Sequence, residues 1–143
     1  YTTLFRSSFY DLHQKLIEKT EQFFQSANNT EEENSTIFLI KDYISRKYMD
    51  ESLSVKDISE HVFLSASYVC TFFKSETGQT LNQYLTEYRM EKAKHLLTDP
   101  RYKITDISSR VGYSDGNYFG KSFKKYTGFS PSEYREKMSQ TGV

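Results

Sequence analysis

Apolar residues recur at helical spacing from the first residues of the chain. Within residues 4–25 they follow one another at intervals of three, four or seven: Phe5, Phe9, Leu12, Leu16 and Phe23. This spacing predicts one amphipathic helix. The intervals from Phe5 to Leu16 are also those of a coiled-coil seam, so two interpretations stay open. The helix either docks on its own domain or pairs with a partner helix.

A polar stretch follows this first helix. Residues 27–36 contain no apolar side chain larger than alanine and carry three consecutive glutamates. Such a composition is typical of a solvated linker. We therefore expect a connector helix over residues 1–26, a polar linker over 27–36, and a separate domain over 37–143.

Residues 37–143 carry seven helical signals with recognisable starts and stops. Predicted starts are polar N-cap residues, and predicted stops are a glycine or the residue before a proline. The starts are Ser54, Ser65 or Ser67, Thr80, Ser114 and Ser130, and the stops are Gly78, Asp99 and Gly128. Since no alternating strand pattern of any length is present, the chain is predicted to be all-α.

Part of this domain is repeated. At an offset of 49 residues, Asp57-Ile58-Ser59 matches Asp106-Ile107-Ser108, and at an offset of 50 Thr77-Gly78 matches Thr127-Gly128. Each copy reads as a short helix, a tight turn and a second helix, the layout of a helix-turn-helix. The predicted units span about 54–78 and 103–128, with a long linker helix over about 80–98. A plain duplicated bundle is the alternative.

The second copy and the helix before it carry a longer signature. It comprises Arg89-Met90, Ala93, Leu97, Ile104, Ile107, Val111-Gly112-Tyr113, Phe119, Phe123 and Gly128-Phe129-Ser130-Pro131. On these residues, 37–138 resemble the DNA-binding domain of the AraC/XylS family of bacterial transcription regulators. The resemblance implies a seven-helix domain of two helix-turn-helix subdomains joined by a linker helix, at the C-terminus of a longer regulator. Residues 1–36 resemble the helical connector of receiver-linked or membrane-sensor members.

The resemblance also implies which residues meet DNA, by matching the family's motif position by position. Base-contacting positions are Ser67, Cys70 and Thr71 in the first unit and Gly116, Asn117, Gly120 and Lys121 in the second. Phosphate-contacting positions are Lys74, Lys124, Lys125, Arg101 and Lys103. Thr71 stands where many relatives carry arginine, and neither recognition helix contains one. We therefore expect the second unit to supply most of the sequence discrimination, through Asn117 and Lys121.

Net charge alone does not favour DNA. The 19 basic and 19 acidic residues cancel, whereas a nucleic-acid binder is expected to be basic. The charge is unevenly distributed, because residues 1–36 sum to −3 and residues 37–143 to +3. The chief alternative is therefore a duplicated helical module for protein interaction or dimerisation that does not bind DNA.

Other classes of function find little support in the composition. One cysteine and three scattered histidines do not favour a zinc site, and no phosphate loop or nucleophile motif is present. We expect no enzyme activity, cofactor or metal. No apolar run in the sequence is long enough to cross a membrane.

The expected partners are double-stranded DNA, RNA polymerase for an intact activator, and a second copy through residues 1–25. The expected location is the bacterial cytoplasm, with an upstream membrane anchor or a two-component receiver left open.

Overall fold

The computed structural model describes the backbone of residues 2–142 and the side chains of residues 10–23 and 35–142. Within that part of the chain every regular element is an α-helix, so the all-α prediction is confirmed. The helices are α1 (Thr2–Lys47), α2 (Val55–His61), α3 (Ala66–Thr77), α4 (Leu81–Leu97), α5 (Ile104–Arg110), α6 (Gly116–Thr127) and α7 (Pro131–Thr141).

The first helix differs from the sequence prediction. The composition predicts a break at residues 27–36, but α1 continues through them as one helix of 46 residues. The physical reason is that a polar stretch is compatible with a solvated helix unless it contains a helix breaker, and the chain has no glycine before Gly78 and no proline before Pro100. The predicted connector helix and the first helix of the following domain are therefore one element.

The chain divides into two compact units, Tyr1–Phe38 and Leu39–Val143. In the first unit, Leu12 and Leu16 of the predicted stripe are both more than half exposed. Phe5 and Phe9 lie outside the described side chains. In the second unit, Ile40 and Ile44 at the end of α1 are fully buried.

The second unit contains the helix-turn-helix motif twice, as α2–α3 and α5–α6. The two copies agree in hydrogen-bonding detail. Gly78 and Gly128 end α3 and α6 in the left-handed conformation, with φ of 74° and 85°. In the preceding residues, the hydroxyls of Thr77 and Thr127 donate to the carbonyls of Phe73 at 2.6 Å and of Phe123 at 2.8 Å. The repeat found in the sequence is thus a structural repeat.

The N-caps show where the extra residue of the second copy lies. Ser65 caps α3, where its hydroxyl accepts from the Tyr68 amide at 3.3 Å. The sequence predicts Ser114 as the cap of α6, but the cap is Asp115, whose carboxylate accepts from the Asn117 amide at 2.8 Å. A carboxylate beside the positive end of a helix is an effective cap. The inserted residue is therefore Ser114, and the offset changes from 49 to 50 before the cap.

Helix α4 belongs to the packing of both copies. Its first half buries Leu81 and Leu85, whereas its second half places Met90, Ala93 and Leu97 among the buried side chains of the second copy. The rest of that cluster comes from α5, the turn and α6, namely Ile107, Val111, Tyr113, Phe119 and Phe123. A helix buried against both motifs fixes each of them to one rigid axis.

Candidate nucleic-acid interface

Helix α3 presents one polar face. Val69, Phe72 and Phe73 are buried, because the apolar positions of this helix recur at three and four residues. That packing leaves the predicted base-contacting residues Ser67, Cys70 and Thr71 exposed, with Lys74 exposed one turn later. The face is nearly neutral, since α3 holds one lysine and one glutamate.

Helix α6 presents the equivalent face with a different charge. Its buried residues are Phe119 and Phe123, and on the other side Gly116, Asn117 and Lys121 are exposed and Gly120 is half-buried. Three lysines and no acid lie in this helix, a sum of +3. The exposed lysines are Lys121, Lys124 and Lys125. A cationic helix beside an almost neutral one gives the two units unequal attraction to phosphate.

The predicted residues line three grooves rather than one. Cys70, Thr71 and Lys74 line a groove of about 720 Å³ that α3 forms with the first residues of α2 and α4. The matching groove of the second unit, about 360 Å³, contains Gly116, Asn117 and Gly120. Lys121 and Lys125 line a third groove, of about 760 Å³, between α6 and α4. Ser67 and Lys124 line none of these three.

The start of α4 contributes polar groups that sequence reasoning missed. Asn82 lines both the groove beside α3 and the groove beside α6, and Gln79 and Gln83 line the latter. The capping box that Thr80 forms with Gln83 marks a helix start in the sequence, but nothing in its pattern marks a surface between two recognition helices.

Two exposed tyrosines of the recognition helices were also not identified from the sequence. Tyr68 and Tyr118 are each the third residue of a recognition helix, and their side chains are 50% and 61% exposed. The ring of Tyr68 stacks on Phe72 with centroids 5.6 Å apart, and Tyr118 lies 5.8 Å from Tyr113. Their equivalent places in the repeat were the available signal, but helical periodicity alone assigns most aromatic residues of an amphipathic helix to the core.

Arg101 and Lys103 lie before α5 and are both exposed. The guanidinium of Arg101 is paired with Asp99, with 3.0 Å from Nε to Oδ1 and 2.7 Å from Nη2 to Oδ2. These hydrogen bonds, together with one from the Arg101 backbone amide to Oδ1 at 3.0 Å, lower the pKa of the Asp99 carboxyl to about 2. Arg101 therefore has to share its charge between Asp99 and any phosphate it meets.

The described residues offer little for other chemistry. They contain no cluster of three or more histidine, cysteine or acidic side chains that could hold a metal ion. No helix among them is both long enough and apolar enough to cross a bilayer. Two helix-turn-helix motifs on a shared helix, each with an exposed polar recognition face, define a nucleic-acid-binding domain.

Comparison with known proteins identifies the family. A family model described as "Helix-turn-helix domain" matches residues 46–137. The chain is 34% identical over 132 residues to the Msm operon regulatory protein of Streptococcus mutans, covering 90% of this chain and 46% of that protein. It is 37% identical over 98 residues to the melibiose operon regulatory protein of Escherichia coli K12, covering 68% and 32%. The chain thus spans less than half the length of these curated relatives.

A solved structure agrees with these relatives. The C-terminal domain of the two-component response regulator yesN from Fusobacterium nucleatum is 39% identical, with a TM-score of 0.66 over 68% of this chain and 94% of that one. The chain belongs to the AraC/XylS family of transcription regulators and contains its DNA-binding domain. That domain binds double-stranded DNA sequence-specifically and is not an enzyme, which confirms the prediction from the resemblance.

Proposed function

We propose that the domain reads a bipartite site, with α3 and α6 in successive major grooves on one face of the DNA. The duplicated motif carries this proposal, because each copy has its own exposed recognition face. Successive major grooves lie about 34 Å apart. Helix α4 spans 17 residues, about 25 Å at 1.5 Å per residue, and acts as the spacer between the two motifs. DNA bending toward the domain would supply the remaining reach.

The two units would make different contributions to recognition. In the second unit, Asn117 would read adenine and Lys121 would donate to guanine. In the first, Ser67, Cys70 and Thr71 would read bases weakly through small side chains. Lys74, Lys124 and Lys125, together with Arg101 and Lys103, would contact phosphates and fix the register. The charges of the two recognition helices, +3 for α6 and zero for α3, support this division.

Selection from a random duplex library at two salt concentrations tests the proposal. We expect one enriched sequence with two half-sites about ten base pairs apart. Enrichment of one half-site would mean that a single unit reads bases. An absence of binding even at low salt would contradict the proposal and favour the interaction-module alternative.

For the longer regulator, we propose transcription activation in the bacterial cytoplasm through contact with RNA polymerase. The names of the relatives as operon regulators support a regulatory role, and the yesN domain supports an upstream receiver domain. A reporter gene placed behind the selected site provides the test. Expression that rises when the regulator is present agrees with activation, and expression that falls contradicts it.

Dimerisation through residues 1–25 is a separate proposal. Leu12 and Leu16 support it, because both are more than half exposed in the first unit and lie four residues apart on α1. Light scattering of the chain and of its Leu12→Glu/Leu16→Glu variant tests it. The unmodified chain should have twice the monomer mass and the variant the monomer mass; a monomeric unmodified chain would contradict the proposal.

A further inference from the structure

Arg89 is a buried charge in the middle of α4. Only 9% of the residue is exposed, and its guanidinium donates from Nε to the Tyr48 carbonyl and from Nη2 to the Asp50 carbonyl, both at 2.9 Å. Both acceptors lie in the loop between α1 and α2. The forked geometry of arginine suits two neighbouring carbonyls that a single ammonium group would not reach together. Arg89 thereby ties α4 to the start of the first helix-turn-helix.

The same guanidinium also meets the second helix-turn-helix. A Cβ on Gly112 would lie 2.9 Å from Nε and from Nη2 of Arg89, so the backbone of that turn lies directly against the guanidinium. The neighbouring ring of Tyr113 has its centroid 5.6 Å away, within reach of a cation–π contact. Tyr113 packs in turn against Phe119 of α6, with ring centroids 5.5 Å apart. One side chain is therefore in contact with the loop that leads into the first helix-turn-helix and with the turn of the second.

Arg135 of α7 provides a comparison. Its guanidinium donates to the carbonyl of Leu97 at 3.0 Å and to that of Tyr102 at 2.7 Å. Like Arg89, it donates from more than one guanidinium nitrogen to backbone carbonyls near the end of a helix. Its acceptors, however, all lie at the end of α4 and in the loop before α5, within the second half of the domain.

We propose that Arg89 is a positioning residue that fixes the distance and rotation between α3 and α6, and with them the number of base pairs between the two half-sites. The inference rests on the proposed bipartite reading. Helix α4 connects the two motifs along its axis. Arg89 adds a second connection from the side, between the α1–α2 loop and the turn between α5 and α6. One added base pair moves the second half-site by about 3.4 Å and a tenth of a turn. A rigid connection prevents α6 from moving with the displaced half-site, whereas a loosened connection allows that movement.

The first test uses the duplex selected by the unmodified chain, together with versions that have one base pair inserted or removed between the half-sites. For the unmodified chain, we expect each altered spacing to weaken binding by about tenfold or more, since the DNA must deform to meet both helices. For Arg89→Met, we expect a penalty of less than about threefold, with weaker binding to the parent duplex. Arg89→Lys keeps the charge but cannot donate to both carbonyls at once. Its spacing penalty should lie between those of the unmodified chain and Arg89→Met.

Arg135→Met is the matched control, because it removes the same kind of fork within one half of the domain. It should lower stability and leave the spacing penalty as in the unmodified chain. The proposal is overturned if folded Arg89→Met and Arg89→Lys keep the full penalty, or if Arg135→Met relaxes it equally. Circular dichroism establishes which variants are folded, and Arg89→Lys decides the question if Arg89→Met is not.

A second measurement needs no DNA. Spin labels on Cys70 of α3 and on an Asn117→Cys substitution in α6 report the distance between the recognition helices. The distribution should broaden in Arg89→Met and Arg89→Lys and remain narrow in Arg135→Met. An unchanged distribution in both Arg89 variants overturns the proposal. If the unmodified chain binds no duplex, the proposed function fails, while the label distances still decide the role of Arg89.

Discussion

Phe63 and Gly112 occupy the same position in the two helix-turn-helix turns, and both have a left-handed backbone, with φ of 58° and 89°. In each turn the next residue donates its amide to the carbonyl of the matching serine, Ser59 at 3.1 Å or Ser108 at 2.9 Å. The surroundings differ. The side chain of Phe63 is 92% exposed, whereas Gly112 is buried against backbone and Arg89. The turn therefore accepts a side chain at this position in the first copy and excludes one in the second.

Replacing Phe63 by glycine should stabilise the domain. A non-glycine residue in the left-handed region costs roughly 1–2 kcal/mol. Glycine removes that strain but adds about 0.5–1 kcal/mol of conformational entropy to the unfolded chain, so the expected net gain is about 0.5–1 kcal/mol. Little packing is lost, because the ring is exposed. Urea unfolding measures the change, and a loss of stability above about 1 kcal/mol would show that the ring is packed in solution.

Replacing Gly112 by alanine should destabilise the domain by about 2–4 kcal/mol, because strain and overpacking add. The new Cβ would meet the Tyr48 carbonyl oxygen and the Arg89 guanidinium. Gly128→Ala is the matched control, since its φ is 85° and a Cβ there would meet nothing within 4 Å among the described residues. It should cost only about 1 kcal/mol, from backbone strain alone. Equal losses in the two variants would contradict the steric explanation.

The duplicated unit was visible in the sequence because its caps and stops are local signals. Thr80 and Ser130, two of the predicted helix starts, form capping boxes with Gln83 and Glu133. Such hydrogen bonds join residues three apart, so residue identity and spacing are enough to indicate them. The cap of α6 was misplaced by one residue because Ser114 and Asp115 are both good caps, and a repeat aligned on serine favours the first.

Long-range contacts could not be predicted in this way. In the sequence Arg89 is marked only as part of the family signature, whereas in the structure its guanidinium donates to two backbone carbonyls about forty positions earlier in the chain. Backbone acceptors leave no trace in residue identity. The exposure of Tyr68 and Tyr118 could not be predicted for a related reason. Helical periodicity indicates which residues share a face of a helix, but not which neighbouring element covers that face.

The pairing of Asp99 with Arg101 predicts an acid-sensitive contribution to stability. The hydrogen bonds from Arg101 lower the pKa of Asp99 from 3.8 to about 2. A carboxyl whose folded pKa is depressed stabilises the fold above its ordinary pKa, and this contribution is lost as the pH falls from about 4 toward 2. Carboxyl NMR titration should give a midpoint near pH 2 for Asp99. In Arg101→Ala the midpoint should rise part of the way toward 3.8, since the backbone amide at position 101 still donates, and an unchanged midpoint would contradict the pairing.

Releasing Arg101 should strengthen binding to DNA. In Asp99→Asn the guanidinium loses its carboxylate partner, so an adjacent phosphate no longer competes with Asp99. We expect tighter binding at low salt and a dependence of log K on log salt that is steeper by about one contact. Asp106→Asn is the matched control, as it removes one nearby exposed negative charge that has no ion pair among the described residues. Identical gains in both variants would indicate a general charge effect rather than a contact by Arg101.

Unequal recognition by the two units predicts unequal effects of two alanine substitutions. Lys121 is exposed on the helix with a charge of +3, whereas Thr71 lies on the helix that is neutral overall. Lys121→Ala should cost about 1–3 kcal/mol in binding and relax the preference at one base pair. Lys124→Ala, which removes the same charge one turn later, should weaken binding to all sequences alike and serves as the control. Repeating the library selection with each variant measures both quantities. If Lys121→Ala leaves the selected sequence unchanged while Thr71→Ala alters it, the first unit rather than the second supplies the discrimination.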